Sequence, residues 1–227
     1  MISWLSYSAQ KEIRRVSPIE DLMKNIFNLK ERFDWKIAVL TVVSTLVILI
    51  ERYNSLTSWE TLDRFLLFFV IPMTITLFVF KENPRDYGFQ LGDWRAGLVL
   101  TGLSILLIAP ILYIIARSDP SMKNYYDWQL RFLPRQLMVE LFAWEFLFRG
   151  WLLFGYARKF GPEAIWLQAV PFALAHLGKP EVETLSTIFG GFVFGWIAYR
   201  TRSFLYPFII HFFVSSFTIV VAAGLIG

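Results

Sequence analysis

Leu137-Met138-Val139-Glu140-Leu141-Phe142-Ala143-Trp144-Glu145-Phe146-Leu147-Phe148-Arg149-Gly150-Trp151-Leu152-Leu153 is a run fit for lipid that carries three ionisable side chains. Each charge at the centre of a membrane helix costs roughly 2.5–3.5 kcal/mol on insertion scales. Charges in such a place pair with one another, face a wet cavity, or do both. Glu145 and Arg149 are four apart, so they share nearly one helix face and can pair. Glu140 lies about 140° around the helix from Glu145 and shares its face with Trp144, one turn away.

Six further apolar stretches surround this one, giving roughly 36–50, 62–80, 96–116, 135–157, 163–177, 184–199 and 204–226. A spanning helix needs about 20 residues. The first, fifth and sixth stretches are shorter and must tilt, extend through polar ends, or cross only in part. The pattern predicts an all-α, polytopic membrane protein of about seven transmembrane helices. Composition agrees: 56% of the 227 residues are hydrophobic and 18% aromatic, and the mean hydropathy is +0.51. Soluble domains lie nearer 45–50% apolar.

Residues 1–35 read as a cytoplasmic N-terminal segment, and residues 36–227 as the transmembrane domain, with its motif-bearing core at 135–220. Ser17-Pro18-Ile19-Glu20 has the form of a helix start with a capping box. Ile19, Leu22, Met23, Ile26 and Phe33 follow at helical spacing beside Lys24, Lys30 and Arg32, which predicts an amphipathic helix on the membrane surface. No apolar leader with a small-residue cleavage site is visible.

The net charge is +4. The basic residues cluster in short loops, so the positive-inside rule explains them without nucleic acid as a partner. With the N-terminus inside, the cytoplasmic loops hold 14 Lys and Arg and the opposite loops 7, and Arg149 completes the 22. The expected location is the cell membrane, N-terminus cytoplasmic. The absence of cysteine excludes disulfides, thiolate catalysis and thiolate metal ligands.

The only two histidines, His176 and His211, both fall in apolar stretches. A lone intramembrane histidine often serves as a helix-to-helix hydrogen bond. Two of them with two carboxylates point instead to a functional cluster. A straight-helix ruler of about 1.5 Å per residue puts Glu145 and His176 both about 18 Å deep, and His211 only about 10 Å deep. A meeting of all three needs a tilted last helix, or a Ser203–Pro207 stretch that starts deeper.

Three spaced motifs carry a family resemblance. Trp144-Glu145-Phe146-Leu147-Phe148-Arg149, Phe172 to His176, and His211 to Ser215 occur in order on adjacent stretches. They resemble the Glu-Glu-x-x-x-Arg, Phe-x-x-x-His and His-x-x-x-Asn motifs of the CPBP family, the CAAX protease and bacteriocin-processing membrane proteins also called Abi. The run Gly190 to Trp196 resembles that family's glycine-rich helix. The resemblance implies an intramembrane endopeptidase acting on a membrane-associated peptide or protein through a carboxylate-activated water. Catalytic candidates are Glu145, Glu140, His176, His211 and Arg149.

Two positions depart from the family pattern. Trp144 stands where the first Glu, assigned in the family as the water-activating base, belongs, and Ser215 replaces Asn. Glu140, one turn from Trp144, can reach the same cavity, Glu145 can serve directly, and Glu183 is a third candidate that also suits a helix start.

Hydrolysis in a membrane needs water, a base and donors for the oxyanion. Without a metal, a carboxylate is the base and the imidazoles are the donors. With zinc or another divalent ion, His176, His211 and Glu145 would be the ligands. The compact His-Glu-x-x-His signature is absent, and the sequence leaves cofactor and oligomeric state open. Two other classes stand beside the protease: a catalytically silent relative acting in immunity, scaffolding or binding, and a small ion-coupled transporter, since intramembrane charges also mark ion paths. A transporter of that kind often shows inverted repeats, and none is visible.

Overall fold

The structure is a computed structural model that describes residues 33–226. Among them every regular element is a helix. The expected amphipathic helix lies outside the described residues.

The elements run α1 (Trp35–Tyr53), α2 (Glu60–Val79), α3 (Trp94–Ser118), a short α4 (Pro120–Tyr126) leading into a 3₁₀ turn (Asp127–Phe132), α5 (135–160), α6 (Ala164–Leu174), α7 (Glu181–Thr201) and α8 (Leu205–Ala222). Seven longer helices therefore match the seven apolar stretches. Four of them, α2, α3, α7 and α8, are long and apolar enough to cross a membrane. The other three depart from that standard for physical reasons. Helix α1 carries Lys36, Glu51 and Arg52 at its ends. Helix α5 holds the intramembrane charges. Helix α6 has 11 residues, a rise of roughly 16 Å at 1.5 Å per residue, about half the hydrocarbon thickness.

Helix α5 is the central element. Its middle, Phe146–Leu152, winds as a π-helix, and all seven residues are buried. Such segments are rare and collect at functional positions. Gly150 is required here, because a Cβ at this position would meet the carbonyl of Tyr87 at 3.0 Å and the ring of Phe146 at 2.9 Å. The core around it is aromatic, with Phe68, Phe146, Phe148, Trp151 and Phe204 almost without exposure. Phe69 and Phe204 flank Phe146 with centroids 4.9 and 5.5 Å away, and the Phe142 ring lies 5.4 Å from each of those two.

Gly191 and Gly195 do what their spacing predicts and let α7 approach α6 closely. A Cβ at Gly191 would sit 3.1 Å from both Ala169 and Phe172. A Cβ at Gly195 would sit 2.4 Å from the Gln168 amide, whose Nε2 donates to the carbonyl of Gly191 at 2.8 Å.

Polar clusters mark the two ends of the bundle. At one end Glu82 gathers Lys36, Arg158 and the hydroxyl of Tyr87. At the other, Arg64 gathers Glu51, Glu60 and Glu140.

Candidate active site

A cavity of about 1450 Å³ opens at the Arg64 end and reaches inward between α1, α2, α5 and α8. Glu140, Trp144, His176, His211 and Ser215 line it. All five are positions that the sequence singles out: Trp144, His176, His211 and Ser215 as motif positions, and Glu140 one turn from Trp144. Glu145 and Arg149 do not line it.

The expected pairing of Glu145 with Arg149 is present: Nη1 of Arg149 donates to Oε1 of Glu145 at 3.1 Å, and neither side chain has any exposure. The same Oε1 lies 2.7 Å from Nδ1 of His211. With an ionised carboxylate as acceptor, that nitrogen is the donor, and the neutral ring keeps its lone pair on Nε2. His176 is held alike by another group. Its Nδ1 lies 2.8 Å from the carbonyl of Phe172, one turn back, and a carbonyl can only accept. Both imidazoles thus have one fixed edge and one edge available to the cavity. The rings lie 6.4 Å apart and 24° from parallel.

The ruler placed His211 too shallow. Ser203 and Phe204 are fully buried, so α8 begins inside the bundle rather than at its rim, and His211 comes level with Glu145.

Arg149 is enclosed by rings. Its guanidinium carbon stands 3.6 Å from the centroid of Phe172 and 5.2 Å from that of Phe194. Ring faces partly replace the hydration that a buried cation loses. The motif phenylalanine therefore serves both motifs: its carbonyl fixes His176 and its ring covers Arg149. Nε and Nη2 of Arg149 and Oε2 of Glu145 have no protein partner and no exposure.

Trp144 stands on the cavity wall, edge-on to His176 with centroids 5.4 Å apart. Glu140 does reach the cavity, one turn away. It is held there by Arg64 at 2.7 Å and Thr61 at 2.5 Å. Glu183 accepts from Tyr126 and pairs with Lys179 at 2.8 Å in the first turn of α7, so it has the helix-start role. Ser215 makes no hydrogen bond to His211.

Reasoning from sequence missed Arg64, Thr61 and Phe194. For Arg64 a signal existed, since it sits at the lip of the second apolar stretch and a charge there asks for a partner. Thr61 and Phe194 carry no local signal.

Residues 126–217 match the family described as type II CAAX prenyl endopeptidase Rce1-like. The resemblance read from the three motifs is borne out over that stretch, which contains Glu140, Glu145, Arg149, Phe172, His176, His211 and Ser215. No curated protein and no solved structure matches the chain. The Rce1-like match supports an integral membrane protein of protease type.

The zinc reading finds no support in the donor set. Among the described residues no three His, Asp or Glu side chains are placed to hold a metal ion. Oε1 of Glu145 is directed at the Nδ1 edge of His211 and at Arg149 rather than at a point shared with His176.

Proposed function

We propose that this protein is an intramembrane endopeptidase that cleaves a membrane-associated peptide with a water activated by His211 and Glu145. The observation that carries the reading is the 2.7 Å contact between His211 Nδ1 and a fully buried Glu145. A carboxylate behind an imidazole fixes its tautomer and stabilises the imidazolium formed when the other nitrogen takes a proton. In this reading Glu145 acts through His211 and the carboxylate needs no access to water.

The steps are those of acyl hydrolysis. A water in the cavity gives its proton to His211 Nε2 as its oxygen adds to the substrate carbonyl. The oxyanion needs donors. Both imidazoles already donate from Nδ1, so as neutral rings they have no second N–H to offer. Trp144, with an indole N–H, and Ser215, with a hydroxyl, line the same cavity as the two imidazoles and are the donors assigned to the oxyanion in this reading. Collapse of the tetrahedral intermediate breaks the C–N bond, and His211 returns the proton to the leaving amine. His176, opposite, orients the water with its free Nε2. Glu140, held by Arg64, supplies negative charge at the mouth. Arg149 is a positioning residue that holds the Glu145 carboxylate in place.

The substrate class is a peptide presented from the bilayer, and the family's description makes a prenylated CAAX peptide the first to test. Seven crossings with the N-terminus inside complete the topology of this reading. The test is hydrolysis of such a peptide by the protein in liposomes, compared with His211→Ala.

One observation favours a second reading. Trp144 occupies cavity wall beside His176 where the family pattern has a carboxylate. A silent relative would bind the peptide without cutting it, so binding without turnover in the same assay selects that reading.

A further inference from the structure

A second cavity, of about 550 Å³, lies at the other end of the bundle. Helix α5 reaches the first cavity at Glu140 and the second at Arg158, so the two are separated along the helix axis. The second is polar. Arg85, Arg158, Arg202 and Gln90 line it with one acid, Asp86. Glu82 neutralises Arg158. Arg85 and Arg202 have no carboxylate partner among the described residues.

The frame of this pocket is built rather than loose. The loop after α2 is tied to the turn between α7 and α8 by Asp93 N–H to the Thr201 carbonyl at 2.9 Å and by Phe204 N–H to the Gly88 carbonyl at 3.3 Å. Gln90 donates to the carbonyl of Arg202. Arg202 caps α7 in the left-handed region at φ 59, a conformation costing a non-glycine residue about 1–2 kcal/mol. It sets the guanidinium 5.4 Å from the Tyr199 ring centroid, at the pocket edge.

Phe89 and Leu91 are exposed on the same loop, and Trp94 is exposed where that loop enters α3. Large apolar and aromatic side chains in that position belong to the level of lipid headgroups. Guanidinium groups match phosphate oxygens through paired N–H donors. We propose that this pocket binds the phosphate of an anionic phospholipid headgroup. Inorganic phosphate shares the chemistry, but Asp86 opposes a dianion more than the monoanionic diester of a lipid.

The experiment is native mass spectrometry of the full chain released from detergent, with phosphatidylglycerol, phosphatidylcholine and inorganic phosphate as probes. Retention of phosphatidylglycerol over phosphatidylcholine is expected. Arg85→Gln and Arg202→Asn should each weaken it by about fivefold, the scale of one basic residue near an anionic surface. Arg95→Gln removes the same charge from the same end but outside the pocket, and should leave retention unchanged. Three results overturn the proposal: equal retention of the two lipids, an Arg95→Gln loss as large as that of Arg85→Gln, or displacement of lipid by inorganic phosphate at equal concentration. Should Arg202→Asn fail to fold, Arg85→Gln on its exposed turn decides alone.

Discussion

The guanidinium of Arg149 rests 3.6 Å from the centroid of the Phe172 ring, so the arginine of one motif is covered by the phenylalanine of the next. Helix α5 cannot rotate without uncovering a buried cation, and α6 cannot shift without moving the carbonyl that fixes His176. Two consecutive helices are thereby set in one register.

Phe172→Leu keeps the apolar volume but removes the ring face. A desolvated cation–π contact contributes about 2 kcal/mol. The variant should lose roughly that much stability, seen as a lower melting temperature in detergent, and its turnover should fall with little change in KM. An unchanged melting temperature would show that the ring contributes packing alone.

Trp144→Phe removes one N–H and keeps an aromatic edge against His176. Loss of an oxyanion donor costs about 10²–10³ in kcat. A drop of that size with peptide binding intact is expected from steady-state kinetics. Equal kcat in the two proteins would exclude the indole as a donor.

Glu82 provides the pH-dependent element outside the spans. Burial raises its pKa, but the hydrogen bonds from Arg158, Lys36 and Tyr87 outweigh that and bring it down to about 2 from an ordinary 4.5. A folded pKa below the unfolded one contributes stability that is full above the unfolded value and is lost as pH falls through the folded one. The wild type should therefore lose stability between about pH 4.5 and 2 relative to Glu82→Gln. Melting temperatures of both proteins across that range make the comparison, and parallel curves would contradict the assignment.

Gly92 has φ +55, and a Cβ there would come 1.9 Å from the Thr201 carbonyl oxygen. Backbone cannot move aside as a side chain can. Gly92→Ala should cost at least about 3 kcal/mol through strain and overpacking. Gly190→Ala meets nothing within 4 Å and lies inside α7, so it should be neutral or slightly stabilising. Thermal unfolding of the two variants checks both.

Much of this was readable from residue type and period. Seven apolar stretches became seven longer helices, because membrane helices satisfy their backbone internally. Glu145 and Arg149 paired because four residues put them on one face. Gly191 and Gly195 packed as small residues do. What could not be read was direction. Glu145 faces His211, 66 residues away, instead of the cavity, and no local pattern encodes that distance. Glu140 is held by Arg64 and Thr61 from α2, a choice made by packing. The depth of His211 was misjudged because burial of Ser203 and Phe204 depends on which helices surround them. Hydropathy also overstated the evidence for crossings, since α6 is apolar yet short.

The most direct test of the Glu145–His211 pair is hydrolysis of a prenylated CAAX peptide by protein reconstituted in liposomes, with melting temperature followed in parallel. The account predicts turnover by the wild type and a loss of at least about 10³ in kcat for His211→Ala, consistent with removal of a general base, while the fold is retained. Equal turnover in the two proteins, or peptide binding without turnover in the wild type, would contradict it.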